Sequence, residues 1–250
     1  EIMYVNIYKV LLFDINGTLI DYWSARNKAL KEVVKQTIDN SNQRLCKEKN
    51  VLLNIERIKQ IENELRIQGY SIDELRVNRF SRWICENFGI QVGTSTSRNI
   101  SLELNKKYTK LTDEFVKIFP DVKETLKKLN DAGFKLVIIS NGPASNQMRR
   151  LKKCGIQDYF SEFIFSEEIG VSKPSKLFYD YVFKNIIADK KYSLVIGDDV
   201  TEDIEGAVSY GLDAVWINRS GQTNNLEKVN GTFYEISTLA ELCNLIFIKE

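Results

Sequence analysis

The chain has 250 residues, room for one large domain or two smaller ones, and its 35 basic and 34 acidic side chains leave a net charge of +1. That balance removes the electrostatic case for a nucleic-acid or membrane-surface partner. Histidine is absent, which excludes Ser-His-Asp and Cys-His nucleophile systems and His-ligated metals, and leaves acid–base work to Asp, Glu, Lys, Tyr or Cys.

In chain order, Val10-Leu11-Leu12-Phe13 is an unbroken apolar run. Such a run predicts a strand over 9–14 buried on both faces, as in the middle of a parallel sheet. It ends at Asp14-Ile15-Asn16-Gly17-Thr18. From about 21 to 117 the pattern is helical throughout. Ala25, Leu30, Val33, Val34 and Ile38 fit a first helix, and Val51, Leu52, Ile55, Ile58, Ile61 and Leu65 a second, closed by Gly69. Between them Asp39 to Asn50 reads as a loop. Ser71-Ile72-Asp73-Glu74 is a capping box that opens a third helix, and a fourth is predicted over 97–111.

From Phe119 strand and helix alternate, which argues for a parallel sheet. Helices are predicted from Pro120 to Gly133 and near 144–153, 175–187, 201–210 and 236–247, with strands near 134–140, 162–166, 192–197 and 213–217. The first strand belongs to that sheet, so the helical segment is an insertion. Phe178-Tyr179-Asp180-Tyr181-Val182-Phe183 reads as a core-facing helix and not a base-stacking platform. Cys46, Cys85, Cys154 and Cys243 are too scattered for a zinc site or disulfide framework and are expected to be buried, reduced thiols. Neither a signal-peptide pattern nor a membrane-length apolar run is present, so no membrane partner and a cytoplasmic location are expected.

Two further strand ends carry chemistry-bearing residues, Ser140-Asn141-Gly142 and Gly197-Asp198-Asp199 with Asp203 close behind, and Lys173-Pro174 lies between them. In open α/β sheets ligands bind beyond the carboxyl ends of the strands. An Asp strand, a Ser strand, an isolated Lys and an acidic strand in this order resemble the haloacid dehalogenase-like (HAD) hydrolase superfamily, over the whole chain. The resemblance implies a Rossmann-like α/β core of residues 1–20 and 118–250. It also implies that the insertion, 21–117, is an all-helical C1 cap that covers the strand-end crevice and sets the substrate.

Asp14 is then the expected nucleophile, attacking a phosphoryl group to give an aspartyl-phosphate. Two anions meeting there call for a cation, and Mg²⁺ suits oxygen ligands. Asp14 and Asp198 are its expected carboxylate ligands, the main-chain carbonyl of Asn16 is a third by resemblance, and Asp199 and Asp203 are ligands or their supports. An acidic cluster of this kind also suits a helix N-terminus with no metal. Ser140 and the amides of Asn141 and Gly142 are expected to hold the phosphoryl oxygens, with Thr18 beside them. Lys173 matches the family lysine that offsets charge. Trp23 and Arg26 are candidates to meet the substrate, against the plainer reading of a packed ring and a solvated cation. The partner implied is a small phosphate ester, and the assembly a monomer or homodimer. Ser140-Asn141-Gly142 and Ala214-Val215-Trp216-Ile217-Asn218-Arg219 are similar to the branch that includes pyrimidine nucleotidases, so a nucleotide or sugar phosphate is expected.

One position departs. Phosphatases of the family carry Asp-x-Asp in the first motif, and here Asn16 replaces the second Asp, whose task is to protonate the leaving group and then activate water. An amide does neither. An introduced substitution, a naturally altered enzyme with another base, a dehalogenase-like member and a non-catalytic phosphate-binding pseudoenzyme all stay open. The dehalogenase is disfavoured because that branch has an aromatic residue at position 16 and a less acidic last motif.

Overall fold

The computed structural model describes residues 4–5, 7–41, 46–223, 229 and 231–249. The loop expected at 39–50 lies partly outside them, at 42–45. Contacts divide the chain into two compact units, residues 1–22 with 117–250, and residues 23–116.

In the first unit, β1 (Tyr4–Val5) pairs antiparallel with β8 (Ile248–Lys249), apart from the main sheet. The apolar run forms β2 (Val10–Phe13), buried along its whole length. It lies between β3 (Lys135–Ser140) and β5 (Ser193–Gly197). β4 (Glu162–Phe165) forms one edge, and β6 (Asp213–Ile217) then β7 (Phe233–Ile236) form the other. Every neighbouring pair is parallel. Val10 and Leu12 pack on one face with Val137, Ile139 and Val195. Leu11 and Phe13 point to the other face and are equally buried, which is why the run is continuous and not alternating. Phe13 is level with both Ile138 and Ile196. The three central strands therefore end together, and Asp14, Ser140 and Asp198 emerge at the same edge.

The helices of this unit are α5 (Val122–Asp131), α6 (Ala144–Lys153), α7 (Ser166–Ile169), α8 (Lys176–Asn185), α9 (Gly206–Tyr210) and α10 (Leu242–Ile246). Phe178, Tyr179 and Val182 of α8 are buried under the sheet, as their pattern predicts. Two expectations are corrected. The helix predicted over 201–210 is a π-turn, Val200–Glu205, that passes into α9. The helix predicted over 236–247 is the end of β7, a 3₁₀ turn at Leu239–Glu241, and only then α10. Phe233-Tyr234-Glu235-Ile236 fully buries only its last residue, with Phe233 half-buried against the core, so its periodicity is too short to mark an edge strand. Of the four thiols only Cys46 is fully buried, and all are unpaired.

The second unit holds α1 (Tyr22–Asn40) from residue 23 onward, α2 (Val51–Ile67), α3 (Ile72–Phe88) and α4 (Ser95–Phe115), the last longer than predicted at both ends. Ala29, Leu30, Val33 and Val34 meet Ile55, Ile58, Ile61 and Leu65, with Phe80, Trp83, Ile84 and Tyr108 completing the core. The i, i+3, i+4 spacing places each set on one helix face. Asn50 caps α2, and Ser71 with Glu74 closes the capping box of α3 in both directions. Buried Trp83 donates its Nε1 to Asn54 Oδ1 at 2.6 Å. No helix among the described residues is long and apolar enough to cross a membrane.

Candidate active site

Asp14 leaves β2 at the sheet edge, its amide still bonded to Ile196 O at 2.9 Å. A tight turn follows: Gly17 N–H donates to Ile20 O at 2.9 Å, and the Leu19 and Ile20 amides both donate to Ile15 O. Gly17 takes φ 87°, a left-handed value that suits glycine. The turn aims the Asn16 amide at the Asp14 carboxylate. Thr18 donates its hydroxyl to Asp198 Oδ1 at 3.4 Å.

Lys173 is the organising cation. It is 1 % exposed, and its ammonium donates to Asp14 Oδ1 at 2.8 Å, Asp203 Oδ1 at 2.6 Å and the Ile139 carbonyl at 3.1 Å. Three donors thus meet three acceptors. Burial disfavours the ammonium, but Asp14 and Asp203 outweigh it and hold its pKa above the usual lysine value. Burial pushes the Asp14 and Asp203 carboxyls up, against the pull of Lys173. The site therefore stores one cation between two strained anions.

The acidic strand end divides its labour. Asp14, Asp198 and Asp203 each present a carboxylate oxygen, all within 4.8 Å of one another. Asp203 Oδ2 also accepts the Asp199 amide at 3.1 Å, so both its oxygens are engaged. A Cβ on Gly197 would stand 2.1 Å from Asp203 Oδ2, so only glycine leaves room for that carboxylate. Asp199 does not join this cluster: its Oδ1 accepts the Thr201 and Glu202 amides at 2.9 and 2.8 Å. It is the N-cap of the turn at 200–205, the alternative role the sequence left open.

Ser140 is buried, and its Oγ accepts Gln147 Nε2 at 3.2 Å. Of the two amides expected to hold phosphate, that of Gly142 donates instead to Ser166 Oγ at 3.0 Å. α7 brings the hydroxyl that satisfies this amide. The Asn141 side chain locks the lysine backbone, accepting Lys173 N–H at 2.9 Å and donating to Lys173 O at 3.0 Å and Glu202 Oε2 at 2.8 Å. Gln147 and Glu202 were not anticipated from sequence. Glu202 reads there as one more acidic residue in a helical first turn, yet burial raises its carboxyl, which also acts on Asp14.

Trp23 and Arg26 belong to the helical unit. Arg26 donates to Tyr108 Oη at 2.7 Å and forms an ion pair with Glu62, which also pairs with Arg79 at 2.6 Å. Its guanidinium lies over the half-exposed Trp23 ring. Arg26 is therefore a paired group and not a solvated cation. Asn16 Oδ1 is buried and accepts no hydrogen bond.

Known proteins resemble this chain along most of its length. The family described as haloacid dehalogenase-like hydrolase matches residues 11–217. The HAD-hydrolase YfnB of Bacillus subtilis is 29 % identical over 244 residues, 97 % of each chain. Its crystal structure bound to magnesium superposes with a TM-score of 0.75 at 28 % identity, covering 96 % of this chain and 99 % of that one. The pyrimidine 5'-nucleotidase PynA of Streptococcus pneumoniae is 29 % identical over 84 % of each chain. A glyceraldehyde 3-phosphate phosphatase of Methanocaldococcus jannaschii is 28 % identical over 95 % of this chain and 96 % of its own.

Proposed function

The chain belongs to the haloacid dehalogenase-like hydrolase family, and from that premise we propose that it is a Mg²⁺-dependent phosphatase of small phosphomonoesters, nucleotides or sugar phosphates, slowed by Asn16. The observation that carries the reading is the buried Lys173 bridging Asp14 and Asp203. Such a bridge aims Asp14 and favours its ionised form against the cost of burial, while leaving its second oxygen available as a nucleophile.

The donor set fits Mg²⁺. It is all oxygen, two carboxylates and a carbonyl suffice, and the Asn16 carbonyl is not an acceptor in any of the turn bonds of residues 15–20. Asp14, Asp198 and that carbonyl would hold the ion, with Asp203 engaged by Lys173 and the Asp199 amide. Bound there, Mg²⁺ supplies charge neutralisation for a phosphoryl group approaching a carboxylate.

The remaining chemistry falls to the chain's own residues. Asp14 attacks phosphorus and takes up the phosphoryl group as the ester oxygen departs. Lys173 offsets the charge on both. Because Ser140 Oγ accepts from Gln147, its own proton is free to donate to a phosphoryl oxygen. Position 16 has no proton to give, and hydrolysis of the acyl phosphate lacks its base. The unpartnered Asn16 Oδ1 marks where a carboxyl oxygen would stand. We assign residues 23–116 the substrate-selecting role of the family's helical cap, with Trp23 and Arg26 as its candidate contacts, and the cytoplasm as its location.

The test is hydrolysis of p-nitrophenyl phosphate with Mg²⁺ or EDTA. General acid–base catalysis contributes about 10²–10⁴-fold, so Asn16→Asp should raise a Mg²⁺-dependent rate by about 10²-fold or more, and Asp14→Ala should abolish it. An inert Asn16→Asp variant would refute the reading of a phosphatase held back at position 16, and leave a phosphate-binding protein or an enzyme that rejects p-nitrophenyl phosphate.

A further inference from the structure

We infer that Arg219 is a positioning residue, holding the 15–20 turn in the conformation that brings the Thr18 hydroxyl to Asp198. Its sequence context, after Asn218 at the end of β6, assigns it no task. Yet its guanidinium is saturated on two sides. Nη2 and Nε donate to the Thr18 carbonyl at 2.9 and 3.3 Å. Nη1 donates to both oxygens of Asp121 at 3.1 Å, and the guanidinium carbon lies 3.9 Å from the centroid of the Phe119 ring. Asp121 in turn accepts the Leu239 amide, so the brace is tied to the segment after β7 as well.

The turn is thereby fixed at its far end. Its near end is fixed by β2, and its flank by Phe119 N–H to Leu19 O at 3.2 Å and Asp21 N–H to Lys117 O at 2.8 Å. Arg219 and Asp121 are each about five-sixths buried, so the pair is protected from solvent and from salt screening. A planar fork is needed, because one group must reach a carbonyl and a carboxylate in different directions. A lysine ammonium on a flexible stem cannot hold both. Thr18 thus has two jobs: its carbonyl is the handle that Arg219 grips, and its hydroxyl is the contact to Asp198. Asp198 is also among the anions that act on the Arg219 guanidinium. Loss of the grip frees the turn, and with it the carboxylate that Thr18 steadies.

The inference rests on the reading of Asp198 as a metal ligand, and two measurements separate them. Hydrogen exchange in EDTA reads the turn directly, since the Gly17, Leu19 and Ile20 amides are all bonded within it. Calorimetric titration with Mg²⁺ reads the ligand. Arg219→Met should speed exchange of a 14–20 peptide tenfold or more, leave β3 peptides unchanged, and weaken Mg²⁺ binding about tenfold. Asp121→Asn should act in the same direction and Arg219→Lys should restore less than half of the loss. These two milder variants carry the test if Arg219→Met does not fold. Unchanged exchange overturns the inference, as does faster exchange with unaltered Mg²⁺ affinity. If the parent chain binds no Mg²⁺, the metal reading fails, and the exchange rates alone decide whether Arg219 holds the turn.

Discussion

Replacing Lys173 by methionine isolates what the buried ammonium contributes. Met has nearly the same length, so the packing around the stem survives and the loss is electrostatic. Three hydrogen bonds vanish, and Asp14 and Asp203, 8 % and 1 % exposed, face each other without a counter-charge. Removing one partner of a buried ion pair costs about 3–5 kcal/mol. Here one ammonium serves two carboxylates, but one of them can take up a proton, which caps the cost at about 4 kcal/mol. At about 2–4 °C per kcal/mol for a chain of this size, Tm should fall by about 8–16 °C in EDTA. The sign of the pH dependence follows. Without Lys173 both carboxyls rise further above their unfolded values, so the native state binds the extra proton and loses stability as pH rises. Circular-dichroism melts should therefore show the deficit largest at about pH 8 and smaller at about pH 5.5. Adding Asp203→Asn should recover part of it. A Tm within about 2 °C of the parent at about pH 8 would refute the argument, because no buried pair worth several kcal/mol could then exist.

Other expectations follow from the same geometry. Asp199→Ala removes a helix cap and should cost about 0.5–2 kcal/mol in a denaturation curve, while calorimetry finds Mg²⁺ affinity unchanged and Asp198→Ala loses it. In the helical unit, burial pushes the Glu62 carboxyl up, but Arg26 and Arg79 outweigh it and hold it below the ordinary 4.5. A depressed carboxyl contributes stability above its unfolded pKa and loses it as pH falls through the folded one. Acid titration of unfolding, followed by hydrogen exchange of the helical unit's peptides, should show that slope in the parent and not in Glu62→Gln, which should cost about 2 kcal/mol near neutrality.

The sheet was legible because its central strands are buried on both faces, and an unbroken Val-Leu-Leu-Phe or Leu-Val-Ile-Ile run has few other uses. Asp14, Ser140 and Asp198 were legible because each follows such a run, and Lys173 because it falls in order between the last two. β7 was not, since Phe233 to Ile236 buries only one residue in four. The capping role of Asp199 was not either, although Asp198 was the expected direct ligand of the two. Adjacent aspartates look alike in sequence, and only the φ/ψ path into the 200–205 turn decides which one caps it. Gln147, Glu202 and Arg219 were invisible for a related reason. Each acts through a partner far along the chain, and no local period records that.

The arrangement of β2 has a consequence for synthesis. Val10 pairs with Lys135 on one side and Ser193 on the other, so this central strand is made well before either of its neighbours. At about 5–20 residues per second, a ribosome needs on the order of 10–40 s to deliver the second of them. Meanwhile residues 23–116, whose contacts are local helix on helix, can be complete before β3 exists. A nascent chain therefore carries a finished helical body beside an apolar Val-Leu-Leu-Phe segment with nothing to pair with. The interval for which that segment waits for β3 is set mainly by the length of the insertion.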